Sequence, residues 1–220
     1  MREDKNLIGM QELGVSPDFT KKMALSALND TSPGSEMKVA ADIGGGEGVL
    51  SRAIASRFEE VKLLDYNASS LDTVNSKISR IQCDLNSEWP LPEDSVDFAF
   101  AIEVIEHIEN PRHFLREMNR IVRKGGYIFV TTPNLHSLTS MLTFAIRGQH
   151  RYFQDASYPA HITALCQVDL ERIGNECKLT KQKVYWSGND RIPFINACFP
   201  LGGRFFSTSI GVLFKKGNSS

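Results

Sequence analysis

Asp42-Ile43-Gly44-Gly45-Gly46-Glu47-Gly48, directly after the apolar residues Val39 to Ala41, governs how the rest of this chain is read. An acid at the end of a buried strand is followed by glycines at 44, 46 and 48, then by the helical pattern Val49, Leu50, Ala53, Ile54, Phe58. Glycine at such a corner permits positive φ and lets a ligand approach bare backbone, while a helix start offers unpaired N–H groups. A dinucleotide fingerprint would need glycine or alanine three residues after Gly46, and Val49 stands there. The corner therefore speaks for a nucleotide-like cofactor and against a nicotinamide dinucleotide.

On either side of this corner, strand and helix patterns alternate. Asn29 to Glu36 is a turn-rich linker between an N-terminal helical segment, about Pro17 to Leu28, and the first strand. Val61 to Leu64 reads as a strand closed by Asp65, Ala68 to Lys77 as a short helix, and Ile78 to Cys83 as a strand closed by Asp84. Val96 to Ile102 is continuously apolar apart from Asp97, as expected of a parallel strand covered on both faces. Asn110 can cap a helix with Pro111 at its first position and Phe114, Leu115, Met118, Ile121 and Val122 as its buried stripe. Lys124-Gly125-Gly126 is expected to stop that helix, with a strand over Tyr127 to Thr132. A helix near Gln167 to Glu176 and strands near Leu179 to Trp186 and Phe205 to Lys215 complete an α/β doubly wound sheet of about seven strands, helices on both faces. Residues 1–36 form the helical segment and linker, and residues 37–220 the main domain. Two long irregular inserts, at about 134–165 and 187–204, are expected to face the substrate, because ordered loops of that length are usually functional.

Length and composition suit a single ordinary globular domain: 220 residues, 41% hydrophobic and 23% charged. A net charge of -1 and the lack of a basic stripe make nucleic acid an unlikely partner, and a homo-oligomer is compatible with the sequence. Met1 to Lys5 is polar, no run approaches membrane-spanning length, and the four cysteines lack C-x-x-C spacing. Free thiols and a cytoplasmic location are the expectation.

Three strands end in acids. In an open α/β sheet the ligand lies beyond the carboxyl ends of the strands, and an acid closing the second strand roughly 20 residues after the glycine loop can accept bonds from both ribose hydroxyls. Asp65 fits that place. Asp84, with the backbone of Leu85, would face an adenine amino group, and Asp42 would anchor the loop or engage an ammonium. Any one such acid is more often a turn former or helix cap; three at successive strand ends, with the glycine spacing, favour the ligand.

In order and spacing, residues 38 to 133 resemble the class I S-adenosylmethionine-dependent methyltransferases. The segments that carry the resemblance are the D-x-G-x-G-x-G corner, Asp65, CDL at Cys83 to Leu85, LPEDSVDFAFAIEVIEHI at Leu91 to Ile108, and RIVRKGGYIFVTTPN at Arg120 to Asn134. The last two look like the branch containing ubiquinone-biosynthesis O-methyltransferases and bacterial methyltransferases of glycan and secondary-metabolite pathways. The resemblance implies a Rossmann-like sheet whose last strand is antiparallel, with S-adenosyl-L-methionine held by Asp42, Gly44, Gly46, Gly48, Asp65, Asp84, Leu85, Ile102 and Glu103. The implied reaction is methylation of a small-molecule or glycan hydroxyl. Methylation of an RNA 3′ end, or a non-catalytic cofactor-binding subunit, are the competing readings. Gly45 stands where Cys or Ser is often found, a departure expected to be harmless.

Glu103, Glu106 and His107 follow the fourth strand, and one helical turn of E-x-x-E-H would put both glutamates on one face. Carboxylates with imidazole suit Mg²⁺, Mn²⁺ or Zn²⁺, and the pattern resembles the metal cluster of small-RNA 2′-O-methyltransferases, with His161 of Tyr158-Pro159-Ala160-His161 completing the shell. In the other two readings His107, with Glu106, acts as a metal-free base, or the cluster merely orders the loop. Arg147, His150 and Arg151 beside Tyr152-Phe153 form either a phosphate or sugar clamp or a solvated basic turn.

Overall fold

A chain that alternates apolar strands with amphipathic helices can cover both faces of a sheet only by winding helices onto each side. The computed structural model, which describes residues 18–31, 37–67, 75–188 and 202–217, is built that way. Helix α1 (Asp18–Asp30) is followed by β1 (Val39–Ile43), α2 (Val49–Ile54), β2 (Glu60–Asp65), β3 (Ile78–Gln82) and β4 (Val96–Ile102). Then come α3 (Pro111–Ile121), β5 (Val122–Pro133), α4 (Leu138–Arg147), α5 (Gln167–Glu176), β6 (Leu179–Trp186) and β7 (Ser209–Lys216). The strands make one seven-stranded sheet in the order β3-β2-β1-β4-β5-β7-β6. β1 to β5 pair in parallel, and β7, last in the chain, runs antiparallel to both β5 and β6.

Every residue of β4 is buried, so its apolar run reflects cover on both faces. One face packs Ala99 and Val130 under Phe114, Leu115 and Met118 of α3 and Ile173 of α5. The other packs Phe98, Phe100 and Phe129 against Met23 and Ala27 of α1 and Ile54 of α2. Each wholly buried phenylalanine contributes roughly 2–3 kcal/mol of transfer free energy. Asn110 caps α3 by accepting from the His113 N–H at 3.0 Å, with Pro111 in the first turn.

Two boundaries differ from expectation. Helix α3 stops at Ile121, before Lys124-Gly125-Gly126, because Val122 already pairs with Val96. The next pair is Tyr127 with Phe98, so residues 123–126 are an irregularity inside the strand connection. There a Cβ on Gly126 would lie 2.7 Å from the Asp97 carbonyl oxygen, which explains the small residue. β7 starts at Ser209 instead of Phe205, because the preceding residues turn back: Asn134 Nδ2 donates to the carbonyls of Arg204 and Ser207 at 2.6 and 2.8 Å. Most of the expected helix over Ala68 to Lys77 and of the second insert lies outside the described residues.

Candidate active site

The sheet order reverses direction between β1 and β4, so loops leaving their carboxyl ends diverge to opposite faces and open a crevice. Along that edge stand Asp84, Asp65, the glycine corner and Glu103, after β3, β2, β1 and β4 in turn.

The corner is left-handed at Gly44, Gly46 and Gly48, with φ of 67, 50 and 74°. Gly44 N–H donates to the Leu64 carbonyl at 2.7 Å, pinning the loop to β2. A Cβ on Gly44 would lie 2.7 Å from Val104 Cγ2. Gly45 has no room either: its Cβ would meet the Asp42 carboxylate at 2.8 Å and Leu63 Cγ at 2.9 Å. Glycine at 45 is thus what the close packing of this corner demands.

Asp65 accepts from the Gly46 N–H through Oδ2 at 2.9 Å and from the Asn67 N–H through Oδ1 at 3.0 Å. Its carboxylate is oriented at the mouth of the corner by two backbone donors. Asp42 is buried, and its Oδ2 accepts from both Ser51 N–H, at 3.0 Å, and Ser51 Oγ, at 2.6 Å. It therefore ties β1 to α2, and burial pushes its carboxyl up to about 6, with the Asp65 charge adding to the rise. Asp84 is exposed and accepts from Asn86 N–H at 2.9 Å, with Leu85 half-buried beside it. Ile102 is buried at the end of β4.

Beyond β4 the chain does not form the helical turn that the E-x-x-E-H spacing suggested. Glu103 has φ of 55°, and the turn, of 3-10 type, spans only Ile105–His107. Glu103 and Glu106 therefore do not share a helical face. Glu103 N–H donates to Thr131 Oγ1 at 2.9 Å, and its Oε2 accepts from Ser209 Oγ at 3.3 Å, which draws it toward β5 and β7. Burial raises its carboxyl to about 7. Among the described residues it stands outside the group that can share an ion; Glu106, His107 and His161 form that group, with one donor atom from each within 4.8 Å of the others.

This triad is assembled from distant sequence. Ile162 and Thr163 N–H both donate to the Glu106 carbonyl, at 3.0 and 2.9 Å, and Thr163 Oγ1 donates to Ile108 O at 2.6 Å. These bonds stitch the first insert to the loop after β4. His107 Nδ1 donates to Ala160 O at 2.8 Å and His161 Nδ1 donates to Tyr152 O at 2.7 Å. A carbonyl can only accept, so both imidazoles are held with the proton on Nδ1 and the lone pair on Nε2. The rings meet edge to face at 4.8 Å. Desolvation holds both histidines below their usual value, that is, neutral. Glu106 is wholly buried and neither oxygen has a hydrogen-bond partner. Burial first, then the charge of Glu103, push its carboxyl well above the usual range. Thr132 Oγ1 lies near enough to oppose that rise but lacks hydrogen-bond geometry.

A buried carboxyl without a hydrogen-bond partner, beside two neutral imidazoles, is a group that can exchange a proton or accept a cation. Histidines that bind metals commonly give their other N–H to a carbonyl, as both do here. Ser51, Val104, Thr131, Thr163 and Ser209 were not singled out from sequence. Thr131 was legible only as part of the strand before Pro133-Asn134, and the others carry no local signal.

The sheet order and the glycine corner define an open α/β domain with a crevice at its switch point. Residues 41–130 match the family model described as a methyltransferase domain. Over 96 residues the chain is 36% identical to a probable S-adenosylmethionine-dependent methyltransferase of Mycobacterium tuberculosis, covering 42% of this chain and 35% of that protein. Over 117 residues it is 29% identical to the ubiquinone biosynthesis O-methyltransferase of Aeromonas salmonicida, covering 50% and 49%. The chain thus spans half or less of the length of these curated relatives. A crystal structure of a SAM dependent methyltransferase from Archaeoglobus fulgidus shares the fold, with a TM-score of 0.63 at 17% identity over 89% of this chain and 94% of that one. Residues 41–130 are a class I S-adenosylmethionine-dependent methyltransferase domain.

Proposed function

We propose that this protein transfers the methyl group of S-adenosyl-L-methionine to a hydroxyl oxygen of a small molecule or glycan. The observation that carries the reading is the alignment, along one carboxyl edge, of the Asp65-braced glycine corner with the Glu106–His107–His161 triad next to it. In this reading Asp65 grips the ribose hydroxyls, Asp84 and Leu85 face the adenine, Ile102 packs on the adenosine, and the backbone at Gly44 to Gly48 accommodates the amino-acid tail. Asp42 acts through the loop it anchors.

A sulfonium is already a strong electrophile, so most of the acceleration comes from orientation and exclusion of water. The acceptor oxygen must lose its proton as the new C–O bond forms. Nε2 of His107 or His161, each neutral and of fixed tautomer, is suited to receive it. Glu106, whose carboxyl burial holds well above the usual range, would be drawn toward ionisation by the imidazolium that forms beside it.

The donor set also fits a divalent ion. Glu106, His107 and His161 would hold it, with Glu103 outside the coordination group, and its chemistry would be to lower the pKa of the acceptor hydroxyl. Calorimetry with S-adenosylhomocysteine and with NAD tests the cofactor assignment: binding of the first alone is expected, and binding of NAD or of neither overturns it. A panel of hydroxylated sugars, nucleotide sugars and catechols with labelled methyl donor tests the acceptor class. Label transferred only to amines would refute the hydroxyl reading.

A further inference from the structure

An amphipathic helix ordinarily leaves its polar face to water. Helix α3 turns Phe114, Leu115, Met118 and Ile121 to the core, but His113, Glu117 and Arg120, which helical spacing gathers on one flank, are bonded to the chain's own backbone. Glu117 is buried and paired with Arg120 through two bonds: Arg120 Nε donates to Oε1 at 2.8 Å and Nη2 to Oε2 at 2.7 Å. Both members of the pair then hold main chain. Glu117 Oε2 accepts from the Trp89 N–H at 2.9 Å, while Arg120 donates to Trp89 O at 3.0 Å and to Leu91 O at 2.7 Å. One turn earlier His113 Nε2 donates to Ser87 O at 3.1 Å. Just ahead of the helix the Glu109 N–H donates to Asn86 Oδ1 at 3.0 Å. A buried ion pair is weak support for stability, since apolar side chains of equal volume often serve as well. What such side chains could not do is bond the backbone of Trp89 and Leu91.

The segment gripped in this way, residues 84–92, connects β3 to β4 at the carboxyl edge of the sheet and carries Asp84 and Leu85. Asn86 N–H and Ser87 Oγ donate to the two oxygens of Asp84, at 2.9 and 3.4 Å. Trp89 is buried edge to face against Phe114, with ring centroids 5.3 Å apart, and its indole N–H donates to Leu85 O at 3.4 Å. Among the described residues the Leu85 N–H has no acceptor. A carboxylate beside a free N–H matches the amino group and N1 of adenine. Hypoxanthine, with an oxygen in place of the amino group and a proton on N1, presents the opposite pattern.

We propose that His113, Glu117 and Arg120 are positioning residues of the adenine subsite: through Ser87 and Trp89 they hold the backbone of Asp84 and Leu85 in the arrangement that accepts adenine and rejects hypoxanthine. The inference rests on the reading above in which Asp84 and Leu85 face the base. A loop free to shift could turn the Leu85 carbonyl toward the N1 proton of hypoxanthine, and discrimination would be lost. The bond from Trp89 Nε1 keeps that carbonyl engaged.

Calorimetry of the full chain with S-adenosylhomocysteine and with S-inosylhomocysteine reads the ratio of the two affinities. The wild type is expected to favour the adenine compound by about 100-fold, the order set by two mismatched hydrogen bonds. Arg120→Met removes every guanidinium bond and should lower that ratio by about tenfold or more. Trp89→Phe keeps a ring and removes the N–H to Leu85, and His113→Ala releases Ser87; each should lower the ratio by about threefold or more. Circular dichroism melts identify the variants that are folded at the titration temperature. Trp89→Phe and His113→Ala leave the ion pair in place and carry the test if Arg120→Met does not fold. A clamp with a purely structural role would weaken both compounds alike, so a wild-type ratio in the folded variants overturns the inference and leaves the cofactor assignment intact. A wild type that binds neither compound, or both equally, overturns the adenine reading itself and the inference with it.

Discussion

Replacing Asp42 with asparagine probes the stability cost built into the cofactor corner. The wild-type carboxyl is buried, and one of its oxygens accepts from both the N–H and Oγ of Ser51, bonds that an amide oxygen can also accept. Its ionisation moves from 3.8 in an open chain to about 6 in the fold, chiefly through burial. An acid with a raised pKa gives up its proton more readily when unfolded, so wild-type stability falls as pH climbs from about 4 to about 6. Each pH unit between the two values is worth about 1.4 kcal/mol, so full ionisation costs folding roughly 3 kcal/mol. The neutral amide of the variant carries no such cost. Any penalty for burying its NH₂ is the same at every pH and leaves the slope alone. Urea unfolding of the cofactor-free protein should therefore show the stability of Asp42→Asn, relative to wild type, improving by about 2 kcal/mol between about pH 4.5 and about pH 7.5. A difference that stays constant, or that shrinks as pH rises, refutes the account of Asp42 as a desolvated carboxylate.

Three other measurements bear on the site. Asp65→Ala removes the proposed acceptor for two ribose hydroxyls and the brace on Gly46, so calorimetry should show S-adenosylhomocysteine affinity down by about 100-fold or more; unchanged affinity would end the ribose assignment. Gly44→Ala forces a side chain into left-handed backbone and to 2.7 Å from Val104 Cγ2, which should lower stability by roughly 2–4 kcal/mol and the melting temperature with it; a variant as stable as wild type would contradict the packing of this corner. His161→Ala deletes one of the three candidate ligands, so Mn²⁺ affinity measured by titration should drop by roughly tenfold or more while the melting temperature holds. A wild type that binds neither Mg²⁺ nor Mn²⁺ at about millimolar concentration removes the metal from the proposal and leaves the histidines as bases.

Much of the glycine corner and of the strand ends around it was legible because their determinants are local. Glycines at 44, 46 and 48 are required by backbone geometry that any short segment declares, and Asp65 and Asp84 close strands whose apolar runs identify them. The period of the hydrophobic pattern likewise settled the alternation of strand and helix, and with it the parallel sheet. Where local signals competed, the sheet won: Val122 had the pattern of a helical residue, yet its pairing with Val96 ended α3 before the glycines could.

The cluster of Glu106, His107 and His161 was hidden for the opposite reason. The spacing Glu103, Glu106, His107 implied a shared face only on the assumption of a helix, and the left-handed backbone at Glu103 removed that assumption. That His161 should meet His107 depends on hydrogen bonds between an insert and a loop far away in sequence, which no periodicity encodes. The same holds for α4, a helix inside the insert that the sequence reading left irregular. Short-range stereochemistry, then, was enough to specify the sheet and the glycine corner. Long-range contacts alone determined which carboxylate is left without a partner, which imidazole nitrogens keep their lone pairs, and which face of a helix is turned to solvent.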